Sequence, residues 1–114
     1  MSAGRMRRVD EAVREVLSDA ISQGLKDPRI GFVTVTDVQT SPDLRHARVF
    51  FSVFGDDKQR KLTLAGLESA HGVLQRKLAS ELRMKNTPTL VFVYDDTAEK
   101  ADRLGRMLRE DDPA

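Results

Sequence analysis

Acid, base, nucleophilic and metal chemistry mostly falls to histidine, cysteine and paired carboxylates, and this sequence holds few of them in workable spacings. The two histidines, His46 and His71, are too far apart to match the close ligand spacing of a zinc motif. Cysteine is absent, which removes disulfides, thiolate ligands and thiol nucleophiles and fits a reducing compartment. Glycines stand at 4, 24, 31, 55, 66, 72 and 105, and none of them builds a phosphate-cradling loop before a helix. Asp56-Asp57 and Asp95-Asp96 are paired acids, but each pair falls where a strand ends and a helix begins. Carboxylates there meet the positive end of the helix dipole, so capping accounts for them without a reacting partner. The expectation is a chain that is not an enzyme, with no catalytic residue, no metal and no cofactor. A metal-dependent hydrolase centred on Asp95 and Asp96 is the enzymatic alternative.

The cations are more informative. Arg5, Arg7 and Arg8 open the first helical segment, where positive charge opposes the helix dipole and is mildly unfavourable for folding. That placement suits either a solvated terminus or an arm that grips phosphate. Arg76, Lys77, Arg83 and Lys85 surround Glu81 and give a net +3 between His71 and Lys85. They serve solubility or RNA contact equally well. Arg45, His46 and Arg48 form a third group, and Phe50 beside them could stack on a base or serve as a satellite core contact. The formal net charge is only +1, from 19 Lys and Arg against 18 Asp and Glu. From Asp95 onward, however, seven acids face four bases, leaving −3 there and +4 over the rest. Phosphate responds to the local field and not to the sum, so this balance is compatible with RNA recognition.

The elements that must position these groups follow from periodicity. Met6, Val9, Val13, Val16, Leu17, Ala20, Ile21 and Leu25 recur at helical intervals. Gly24 is the expected end signal, and Asp27-Pro28 forces a turn. Phe32 to Val38 and Leu44 to Phe54 read as a β-hairpin around Ser41-Pro42-Asp43. Ala47, Val49, Phe51 and Val53 should share its core face. Leu67, Ala70, Leu74, Leu78 and Leu82 restore helical spacing between Lys58 and Met84, with a break expected near Gly72, since an interior glycine costs about 1 kcal/mol relative to alanine. Asn86-Thr87-Pro88 stops that helix, and Thr89 to Tyr94 reads as a strand with apolar residues on both faces, hence one more buried than the hairpin. Asp96 and Glu99 have the spacing of a capping box for a last helix carrying Ala101, Leu104 and Leu108.

The expected fold is α+β, in the order α-β-β-α-α-β plus a short C-terminal helix, with helices packed on one face of a three-stranded sheet. At 114 residues, 39% hydrophobic and 32% charged, the chain is expected to be one domain over 1–114, with about 1–5 and 110–114 flexible. No run of about 18 apolar residues occurs, and residues 1 to 8 carry no apolar signal segment. A cytoplasmic protein without membrane contact, acting as a monomer, is the expectation.

Asp27-Pro28-Arg29-Ile30-Gly31-Phe32-Val33-Thr34-Val35-Thr36, followed by Ser41-Pro42-Asp43-Leu44 and Ala47-Arg48-Val49-Phe50, resembles the signature segment of the ribosome-binding factor A family. Arg7-Arg8-Val9, Leu67 through Gly72, and Pro88 to Phe92 followed by Tyr94-Asp95 extend the similarity over roughly residues 5 to 108. The resemblance implies a type II K-homology-like fold in which Ala70-His71-Gly72 stands as an Ala-x-Gly kink where ordinary K-homology domains carry Gly-x-x-Gly. It also implies binding to the free small (30S) ribosomal subunit and its 16S rRNA, late maturation with 5′-end processing of the precursor, and a role in cold growth. A ribosome-associated GTPase that promotes release is an implied partner. The C-terminal region is short, which puts in doubt any contact made by longer family tails. Candidate RNA-binding residues are Arg5, Arg7, Arg8, Arg45, Arg48, Ser69, Ala70, His71, Gly72, Arg76, Lys77, Arg83 and Lys85. A generic single-stranded RNA-binding module and a protein-binding α+β adaptor are the other readings.

Overall fold

The computed structural model describes residues 3–23 and 25–110. Gly24, read above as a helix end, lies outside them, as do residues 1–2 and most of the C-terminal segment expected to be flexible. The chain runs α1 (Ala3–Ser22), β1 (Val33–Thr40), β2 (His46–Val53), α2 (Asp57–Ser69), α3 (His71–Leu82), β3 (Thr89–Tyr94) and α4 (Thr97–Glu110). Helix α1 begins at Ala3, so Ala3 to Arg5, expected to be flexible, are already helical.

The sheet order is β1-β2-β3, with β1 and β2 antiparallel and β2 and β3 parallel. A register shift between Val35 and Asp37 inserts one residue into β1. That bulge turns both Val35 and Val38 inward, although strict alternation would separate them. Ala47, Val49 and Phe51 of β2 are buried on the same face, as the period of two required. Against them pack Val13 and Leu17 of α1, Leu67 of α2, Leu74 and Leu78 of α3, and Leu90 and Phe92 of β3. Each fully buried leucine contributes about 1.5 to 3 kcal/mol, so this one-sided core is what holds the helices to the sheet.

Two expectations are corrected. Strand β3 is not buried on both faces: Val91 is 42% exposed, because helices cover one side of the sheet only and leave the other bare. The capping box of α4 is not formed either. Glu99 instead accepts a hydrogen bond from the Tyr94 hydroxyl, while the Asp95 carboxylate takes the Thr97 amide and the Thr36 hydroxyl. Arg60 lies 4.0 Å over the Tyr94 ring and 3.6 Å from Glu99, so α4 is moored to the body by its polar first turn. Beyond that mooring it projects, with Leu104, Met107 and Leu108 more than half exposed. The radius of gyration is 16.5 Å, above the roughly 13 Å expected of a spherical domain this long.

Candidate nucleic-acid interface

Three segments distant in sequence meet at the end of the molecule that carries the hairpin turn. In that turn the Asp43 carboxylate accepts the Ser41 hydroxyl at 2.6 Å and the Arg45 amide at 3.0 Å. The Ser41 hydroxyl oxygen in turn accepts the His46 amide at 3.1 Å. Those bonds hold the Asp43 carboxyl below its usual range, the Ser41 hydroxyl having the largest effect. Leu44 closes the turn with φ of 61°, a left-handed conformation. The Arg45 side chain is 78% exposed and only loosely paired with Asp43, at 3.9 Å.

The second segment follows α3. Arg83 ends that helix in a left-handed conformation, φ 49°, and the chain reverses through Met84, Lys85, Asn86 and Thr87 into β3. Gln75 fixes the return by donating to the Pro88 carbonyl at 2.7 Å and accepting from the Leu90 amide at 3.1 Å. The Thr89 amide donates to the Arg45 carbonyl at 2.8 Å, which ties this loop to the hairpin turn. The first turn of α1 brings Arg5. Together these segments line an open groove of about 910 Å³ whose walls include Arg5, Arg45, His46, Lys85, Asn86 and Thr87, with Asp43 as its acid. A groove lined by cations and amide or hydroxyl donors can bind phosphate and hydrogen-bond a ribose or a base edge. Asn86 and Thr87 carried no signal in the sequence beyond stopping a helix, so their place in this wall was not legible there.

The kink is built differently. Helices α2 and α3 break at Ala70, whose amide donates to the Gly66 and Leu67 carbonyls at 3.0 and 3.1 Å. His71 Nε2 donates to the Leu90 carbonyl at 2.9 Å and the ring meets Phe92 edge-on at 6.2 Å, so His71 pins α3 to β3. Ser69 accepts from Arg29 at 2.9 Å, and Arg29 also pairs with Asp27 at 2.6 Å. The Arg29 guanidinium holds the Asp27 carboxyl below its ordinary range. A Cβ on Gly66 would lie 2.5 Å from Ile30 Cγ1, so glycine is required where this loop presses on α2. Gly72 has no such constraint, since a Cβ there meets only the flexible Arg76 side chain at 3.4 Å.

The other cations are dispersed. Arg48 lies on the bare face of the sheet, donating to Gln39 at 3.0 Å and standing 5.9 Å from the Phe50 ring. Lys77 pairs with Glu81 at 3.4 Å and borders a shallow hollow shared with Glu15 and Asp19. Arg7, Arg8, Arg76 and Arg83 are exposed. The structure thus brings Arg5, Arg45 and Lys85 to one groove, Ser69 to Gly72 to one kink, and leaves the rest apart.

Comparison with known proteins agrees with this architecture. The family model described as ribosome-binding factor A matches residues 5–108. The ribosome-binding factor A of Anaeromyxobacter sp. strain K is 52% identical over 107 residues, covering 93% of this chain and 78% of that one. The solution structure of a Thermotoga maritima protein, itself a candidate ribosome-binding factor A, superposes with a TM-score of 0.73 at 33% identity, covering 82% of this chain and 89% of that one. A Thermus thermophilus ribosome-binding factor A, a homology model fitted into the density of a 30S complex, gives 0.61 at 27% identity and covers 85% of this chain and 98% of that one. By fold, by signature segment and by these similarities, the chain belongs to the ribosome-binding factor A family.

Proposed function

We propose that this protein is a cytoplasmic ribosome assembly factor that binds the free small subunit and its 16S rRNA, holding an immature arrangement while the precursor is processed at its 5′ end. It acts as a monomer, and catalyses no covalent step. A relative fitted into a 30S complex supports the partner, and the groove of Arg5, Arg45 and Lys85 carries the reading on this chain. Its exposed cations neutralise phosphates, while Asn86 and Thr87 supply polar contacts that depend on RNA shape. Arg7, Arg8 and Arg83 extend the positive surface along α1 and the end of α3. The kink formed by Ser69, Ala70, His71 and Gly72 positions α3 against the sheet, and Arg76 and Lys77 on its outer side make peripheral contacts. A ribosome-associated GTPase releases the protein once the subunit is complete.

Sedimentation of the purified protein with free small subunits tests the reading. Wild type is expected to travel with them, and Arg45→Glu with Lys85→Glu to remain at the top of the gradient while keeping its circular dichroism. Co-sedimentation of the double variant at wild-type levels would move the site away from the groove.

A further inference from the structure

The chain has five phenylalanines, and two of them stand outside every layer of the fold. Phe32 and Phe54 are each 85% exposed, whereas Phe51 and Phe92 are buried and Phe50 is half-buried. The Phe54 amide donates to the Phe32 carbonyl at 3.1 Å, one rung beyond the Val33 and Val53 pair that ends the hairpin ladder. The two residues therefore lie opposite each other across the strands, at the end of the molecule away from the basic groove. Among the described residues neither ring meets another aromatic ring, so their faces are open. Leaving two large rings in water at one end of the hairpin forfeits burial worth having, and such a pair calls for an occupant.

The surroundings say which. Gly31 and Gly55 flank the rings on the chain, and Gly55, at φ 143°, adopts a conformation that L side chains rarely take. A Cβ there would also lie 2.8 Å from Gln59, so the glycine lets the Gln59 side chain lie close against this backbone, its amide 3.7 Å from where a Cβ of Gly31 would stand. Lys58 and Lys61, on the same first turns of α2, make no ion pair among the described residues. The neighbouring acids are already engaged: Asp56 accepts the Gln59 backbone N–H at 2.9 Å, and Asp57 pairs with Arg60 at 3.2 Å. Two open rings, a primary amide and two unpaired ammonium groups match a strand of unpaired nucleotides. Each base has a face to stack and an edge to hydrogen-bond, and each linkage carries a negative charge. An apolar protein segment would use the rings but not the lysines.

We infer that Phe32 and Phe54 form a second RNA contact, a stacking platform for unpaired bases, separate from the phosphate groove. This rests on the RNA-binding reading above and adds to it a site and a preference for single-stranded segments.

The test measures binding of a fluorescently labelled, mixed-sequence 12-nucleotide RNA and, in parallel, of free small subunits. Three double variants are compared: Phe32→Leu with Phe54→Leu, Phe32→Ala with Phe54→Ala, and Phe32→Tyr with Phe54→Tyr. Leucine keeps the apolar surface and loses the aromatic face, while tyrosine keeps the face. The expected result is a loss of oligonucleotide affinity of about 5-fold or more per ring in both the leucine and alanine variants, with tyrosine close to wild type and the salt slope unchanged. Melting temperatures should stay together, because the rings are exposed. Wild-type affinity in the leucine variant, or a wild-type protein that binds subunits and ignores the oligonucleotide, overturns the platform and leaves the groove standing. A wild-type protein that ignores subunits instead overturns the proposed function itself.

Discussion

The kink and the groove are both regions the family resemblance touches, yet they use polar side chains in opposite ways. Around the kink, Asp27, Arg29, Ser69 and His71 have their hydrogen-bonding groups turned to one another or to backbone carbonyls. In the groove, Arg45 is largely exposed and holds its only acid at 3.9 Å. A satisfied group stabilises a fold and has little left to offer a ligand, whereas an exposed cation contributes little to stability and keeps its charge for a partner. The start of the signature run, Asp27 to Arg29, therefore serves the kink, whereas the hairpin turn leaves the Arg45 cation exposed.

The largest expected difference between the two regions is in binding. Arg45→Glu with Lys85→Glu should lower affinity for free small subunits by on the order of 100-fold and leave unfolding unchanged, since charge-assisted contacts to phosphate are lost and no core atom moves. Next comes stability at the kink. Gly66→Ala drives a methyl group to 2.5 Å from Ile30 and should cost about 1 to 3 kcal/mol in urea denaturation, with the intact fraction binding normally. His71→Ala removes the bond to Leu90 and the contact with Phe92; about 1 to 2 kcal/mol of stability should go, with subunit affinity within a few-fold of wild type. A large loss of affinity at unchanged stability would erase the distinction and make His71 an RNA ligand.

A smaller effect separates the regions by pH. The Asp27 carboxyl is held below its ordinary value chiefly by its hydrogen bonds from the Arg29 side chain. Its folded value lies below its unfolded one, so its contribution is present above the ordinary carboxylate range near pH 4 and disappears as pH falls through the lowered value. Asp27→Asn should thus be less stable than wild type at neutral pH and converge with it in acid. A gap that persists undiminished in acid would remove the ion pair as its cause. Smallest of all, Lys77→Glu should change subunit affinity by no more than about 3-fold, because Lys77 already faces Glu81 and a hollow lined by Glu15 and Asp19.

How much of this was legible beforehand follows the range of the interactions. The order of the seven elements, the core face of β2 and the break near Gly72 rest on local periodicity and glycine cost, and the structure bears them out, with the break at Ala70. The exposure of Val91 was not legible, because burial of a strand's second face depends on whether another layer covers it, and no property of Thr89 to Tyr94 encodes that. Glu99 had the spacing of a cap but found Tyr94 and Arg60, partners that only the folded chain brings near. The groove is the clearest case. Arg5, Arg45 and Lys85 fall in three separate groups of cations in the sequence, and their meeting depends on the parallel pairing of β2 with β3, the reversal at Arg83 and the packing of α1 into the core.

The salt dependence of binding to free small subunits tests the central claim most directly, since it counts phosphates without reference to any particular contact. With about five phosphates neutralised, the logarithm of affinity should fall against the logarithm of salt with a slope of roughly −3 to −5, and replacing Arg45 and Lys85 should bring that slope about 2 closer to zero. A flat response in wild type, or a slope that the double variant leaves untouched, would contradict it.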